Sequence, residues 1–163
     1  MIVLSDTSPL NYLVLIGHVD VLPVLFGEVV VPTGVSDELQ RSGAPEAVRH
    51  WMASRPNWLV IRTPSRMDDS IELGTGEVEA ISLAMELHAD LLLMDDRLGR
   101  RAAESRGLSV AGTVNVLEAA AERNLLDLRD AIAKLRQTNF HVSEIILVNA
   151  LTADVERRKQ RGE

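Results

Sequence analysis

The chain has no cysteine among its 163 residues. That excludes disulfides, thiolate-ligated zinc and a thiol nucleophile. Aromatic residues make up 3%, so the core must come from Val, Leu, Ile and Ala, the palette of parallel strands covered by helices. No apolar run reaches the roughly 20 residues of a bilayer-spanning helix. The N-terminus runs directly into a strand-like segment with no basic region ahead of it, so no signal peptide or membrane partner is expected and the expected location is cytoplasmic. Basic charge is also short, with 17 Lys and Arg against 24 Asp and Glu and a net charge of −7. This disfavours a broad electrostatic nucleic-acid binder.

What is present is a steady alternation of short apolar runs and helical patterns. Residues 2–5, 29–31, 58–61, 91–94 and 108–111 read as strands. Helices are predicted between them, after Ser8, Thr33, Thr75 and Thr113 as N-caps, and over 97–106, 127–136 and 143–156. Residues 62–74 are polar, contain Pro64 and read as a loop. Strands alternating with helices argue for a three-layer α/β/α sandwich with a central parallel sheet. A single domain is expected over 1–156, followed by a basic tail, 157–163, expected to fray.

The acids fall where the apolar runs end. Asp6 closes the first run, and Asp95 and Asp96 close the run Leu91–Met94. Glu38 and Glu77 stand near helix starts, each beside an apolar position of its helix: Val35 and Leu39, and Ile81. Carboxylates at the ends of buried strands are costly unless a cation compensates. In open α/β sheets the crevice outside the strand ends is where ligands bind. At most one of Asp95 and Asp96 can cap the next helix, which leaves at least one for chemistry. Asp37 and Glu79 read as exposed first-turn acids or as facing away. Gly74 and Gly76, flanking Thr75, let the backbone approach a neighbour closely.

Carboxylates converging without histidine or cysteine are hard oxygen donors, suited to Mg²⁺ or Mn²⁺ rather than zinc. Without metal the cluster repels itself, and some members should stay protonated. Arg97 and Arg101 are spaced i,i+4 and can face a phosphate near the acids, whereas Arg100 reads as part of a solvated helix face. The histidines at 18, 50, 88 and 141 lack metal spacing. Gly112-Thr113 reads as a plain helix start.

Several segments together resemble the PIN-domain ribonucleases, in particular a prokaryotic group related to toxins of toxin–antitoxin pairs. They are Asp6-Thr7-Ser8, Pro32-x-x-Val35-x-x-Glu38-Leu39, Gly74-x-Gly76-Glu77-x-Glu79-Ala80, Met94-Asp95-Asp96-Arg97 and Gly112-Thr113. The resemblance runs from residue 6 to about 115. It implies a Mg²⁺- or Mn²⁺-dependent endoribonuclease acting on RNA. Asp6, Glu77 and Asp96 would be ligands, Glu38 the fourth catalytic acid, and Ser8 a hydrogen-bonding group. It also implies a homodimer and an antitoxin partner. The family strand end is Thr-x-Asp. Met94 stands at its threonine and Asp95 adds a carboxylate, so the choice of metal ligand between Asp95 and Asp96 stays open. A fold retained as an interaction module is the main alternative. A receiver-type switch is weaker, because only one acid follows the first strand and no lysine follows a late one.

Overall fold

The computed structural model describes all 163 residues. Five strands form one parallel sheet: β1 (Val3–Ser5), β2 (Val29–Pro32), β3 (Leu59–Arg62), β4 (Leu91–Leu93) and β5 (Val110–Ala111). Their order is β3-β2-β1-β4-β5. In register, Leu4 lies opposite Val30 on one side and Leu92 on the other. The chain winds outward from β1 to β3, then crosses back to β4 on the other side. The topological switch therefore falls between β1 and β4, where a crevice opens at the carboxyl ends of the strands.

Alternation along each strand divides the interior. Val3, Val29, Val31 and Leu93 point into a cluster of 26 buried residues that also takes in Leu10, Leu13, Val35, Leu39, Leu117 and Ile132. Leu4, Val30, Leu92 and Met94 point the other way, into a smaller cluster with Val78, Ile81 and Ala103. The larger layer holds α1 (Thr7–Leu15), α2 (Val21–Phe26), α4 (Glu46–Ala53), α7 (Thr113–Glu122), α8 (Leu128–Arg136) and α9 (Glu144–Gln160); α5 (Thr75–Glu86) and α6 (Arg97–Glu104) cover the other face. The remaining helix, α3 (Thr33–Gln40), packs beside α5 and α1. This is the α/β/α sandwich that the strand–helix alternation predicts. No helix is long and apolar enough to cross a membrane.

The helix starts differ from the expected caps in an instructive way. Thr7, Thr33, Thr75 and Thr113 are each the first helical residue, and the residue before each sits at the cap without a side-chain cap bond. Ser8 is likewise inside α1 rather than at its cap. Except at Thr75, the hydroxyls are engaged in tertiary bonds instead. Thr7 binds Glu38, Ser8 and Thr113 bind Asp95, and Thr33 meets Thr63. A cap bond contributes about 1 kcal/mol, and a hydroxyl that satisfies a buried carboxylate matches it. At the C-terminus, α9 continues through Gln160, with Arg157 and Arg158 in ion pairs.

Candidate active site

Asp6 directly follows β1, and its N–H binds the Leu93 carbonyl at 2.9 Å. That bond fixes the ends of β1 and β4 side by side. Asp95 and Asp96 leave β4 at the same edge. Glu38 arrives from α3 and Glu77 from the first turn of α5. A cleft of about 330 Å³ opens there, lined by Asp6, Glu38, Glu77, Asp96, Ser8 and Tyr12 among others. No Lys or Arg lines it.

The two neighbouring aspartates have different surroundings. Asp95 accepts three hydrogen bonds, from the Thr113 N–H at 2.7 Å, the Thr113 hydroxyl at 2.6 Å and the Ser8 hydroxyl at 2.7 Å. It stands outside the cleft lining and ties α1 to the start of α7. The N-terminus of α7 thus does hold an anion, one supplied by the chain itself. Asp96 accepts one bond, from the Gly99 N–H at 2.8 Å, which caps α6. Its other oxygen is left for the cleft. The glycines here supply space rather than unusual backbone. A Cβ on Gly76 would stand 2.6 Å from Glu38 Oε1, and one on Gly99 would stand 2.9 Å from Glu77 Oε2.

Glu79, read from sequence as facing away, has a structural role. Its Oε1 accepts the Gly34 N–H at 3.1 Å, in space that a Cβ on Gly34 would fill. Glu79 of α5 therefore reaches the start of α3, while Glu38 of α3 reaches Gly76 at the start of α5. This reciprocal clasp fixes the two helices that carry Glu38 and Glu77. The GxGE spacing signals close approach, but only the fold supplies Gly34 as the second partner. Arg97 and Arg101 are exposed and lie outside the cleft lining.

Electrostatics follow from this packing. Asp6 is 6% exposed. Its pKa is pushed up to about 7, chiefly by burial and then by the negative charges of Glu38, Asp95 and Asp96, against the opposing Thr7 backbone hydrogen bond. Glu77 is also raised to about 7, by burial first and then by Asp96 and Asp6. Its Oε2 is buried and meets no donor, and Asp96 lies close enough to share a proton with it. Burial is the larger cause in both, and the self-repulsion expected of a carboxylate cluster without a counter-charge adds to it. The carboxylates are splayed, and no three of them surround one point at ligating distance. Two of the cleft acids are turned to protein donors, Glu38 to Thr7 at 2.5 Å and Asp96 to Gly99. Even so, the donor set fits a hard divalent cation. It offers several carboxylates, an orphaned buried oxygen and no competing basic side chain.

The comparisons agree with this architecture. A PIN-domain family model matches residues 2–156. A PilT N-terminus domain protein from the hyperthermophilic archaeon Sulfolobus solfataricus is similar in structure, with a TM-score of 0.51 at 19% identity, over 88% of this chain and 100% of that one. No curated protein matches the chain. With a family match over nearly its whole length and the matching parallel sheet, the chain belongs to the PIN-domain family.

Proposed function

We propose that this protein is a divalent-metal-dependent endoribonuclease that hydrolyses RNA phosphodiester bonds. The observation that carries the reading is the cleft itself. Asp6, Glu38, Glu77 and Asp96 line it with no basic side chain, and burial and mutual repulsion hold Asp6 and Glu77 at about 7. Membership of a family that generally includes metal-dependent nucleases supports it.

Asp6, Glu77 and Asp96 would hold Mg²⁺ or Mn²⁺. When bound, such an ion polarises the phosphodiester and lowers the pKa of a bound water. The chain's own groups do the rest. Asp6 and Glu77 would give up their protons to hold the cation, whose charge would offset the repulsion among the acids. Glu38 is steadied at Oε2 by the Thr7 hydroxyl. Its Oε1 would accept a proton from the attacking water. Asp95 serves as a strut that locks Ser8 and Thr113 around the strand end. The same proposal extends to a cytoplasmic toxin, a homodimer whose cleft an antitoxin segment covers. Those finer points rest on family likeness.

The test uses purified protein and labelled single-stranded RNA. Cleavage should require Mg²⁺ or Mn²⁺ and disappear in Asp6→Asn and Asp96→Asn. Metal-dependent cleavage that survives both substitutions sinks the assignment, and a folded protein with no cleavage of any RNA favours an interaction module.

A further inference from the structure

Four arginines are half-buried: Arg100, Arg106, Arg157 and Arg158. Three of them are ion-paired, with Asp68, Asp154 and Asp127 respectively. Arg100 is the exception, with no ion pair and no side-chain hydrogen bond. Every other arginine that lacks a side-chain partner is exposed. None of its nitrogens is buried without a partner, so its five donors meet solvent and are open to a ligand.

Its position gives the ligand's chemistry. Arg100 Nη1 lies 2.9 Å from the point where a Cβ on Gly112 would stand, and Asp95 Oδ1 lies 2.8 Å from the same point. The two groups are thus no more than about 6 Å apart, yet they do not pair. Asp95 already accepts three hydrogen bonds, from Ser8 and Thr113. Gly112 has φ −99°, a backbone that any residue adopts. What its missing side chain supplies is room for the guanidinium. Ser8 joins this corner to the cleft, because it lines the cleft and binds Asp95. The cleft itself offers no cation to a polyanionic substrate.

We propose that Arg100 is a substrate-positioning residue that grips an RNA phosphate beside the one being cut. This rests on the nuclease reading above. The planar fork of the guanidinium suits two non-bridging phosphate oxygens. The strand would then run from the acid cleft past Ser8 to Arg100, with the scissile phosphate at the acids and a flanking one at the arginine. Arg100 lies outside the cleft lining, as Arg97 and Arg101 do, and differs from them in being half-buried beside Asp95.

Binding of a labelled single-stranded RNA tests the idea without cleavage, in the full chain carrying Asp6→Asn with Mg²⁺ present. Arg100→Ala should weaken binding about tenfold. It should also lower the slope of log affinity against log salt by about 0.7, the value for one phosphate on a single strand. Arg100→Lys should restore the slope and part of the affinity. Arg129→Ala, which removes an exposed arginine on α8, controls for net charge. Unchanged affinity and slope in Arg100→Ala overturn the proposal. So does a loss of binding that tracks a lowered melting temperature and is not rescued by Lys, which would make Arg100 a structural residue. If the native chain cleaves RNA but Arg100→Ala binds normally, only this inference fails. If the native chain neither binds nor cleaves RNA, the nuclease reading fails first and takes this inference with it.

Discussion

Two buried aspartates in this chain have opposite surroundings. Asp154, on α9, is 2% exposed and Asp6 is 6% exposed. Asp154 faces Arg157 and Arg158, and Arg158 also binds Asp127. Asp6 faces Glu38, Asp95 and Asp96 and no cation. At the α7–α9 end, burial is matched by arginines carried on the same helix. At the strand ends it is not, although the chain has 17 basic residues to draw on. The contrast is what the proposed metal site requires: the chain gives the cleft acids no counter-charge of its own.

The largest effect expected is on activity. Asp6→Asn or Asp96→Asn should lower cleavage on the order of 10²–10³-fold or more, the scale for losing one transition-state electrostatic group. Asp154→Ala should leave the cleft intact but destabilise the fold by about 1–3 kcal/mol, because Arg157 and Arg158 lose their buried partner and keep only Glu122 and Asp127. Urea unfolding checks this. In metal-free protein, Asp6→Asn should do the reverse and raise stability. Equal signs for the two substitutions would break the comparison.

The pH dependence sharpens the same contrast. Asp6 binds its proton more tightly folded, near 7, than unfolded, near 3.8. Between those values the folded state holds more protons, so metal-free stability should fall as pH rises from about 4 through 7, by roughly 2–4 kcal/mol. Glu77, raised from 4.5 to about 7, adds in the same direction. Thermal melts across this range check the slope, and Asp6→Asn should flatten it. Mg²⁺ should stabilise the fold most at the high-pH end, by about 2.7 kcal/mol when present at a hundred times its Kd, with a matching rise in melting temperature. The smallest effect belongs to Ser8→Ala. It removes one of three bonds to Asp95 and should cost about 1 kcal/mol of stability. As a loss of support behind the ligands, it should cost roughly tenfold in activity.

Much of the fold was legible because local patterns carry it. Apolar runs such as Val29–Val31 and Leu91–Met94 match buried strands, and Gly17 and Gly107 stop the preceding helices with positive φ. The acids could be located because strand ends are visible in sequence. The threonines misled as caps because a hydroxyl before a helix looks the same whether it binds its own backbone or a distant carboxylate. Glu79 was read as facing away because helical spacing says where a side chain points, not what it meets there.

Sequence alone determined that short apolar strands end in carboxylates and that no cysteine or histidine set competed with them. Those are properties of residue type and of spacing within one element. Tertiary structure decided the rest. It separated Asp95 from Asp96 through partners 87 and 18 residues away, Ser8 and Thr113. It interlocked α3 with α5 through Gly34 and Gly76, and it left Arg100 beside Asp95 without a partner. The physical reason is the same in each case. A carboxylate or guanidinium takes its charge state and role from the groups within a few ångströms, and in a parallel sheet those groups come from helices far apart in the chain.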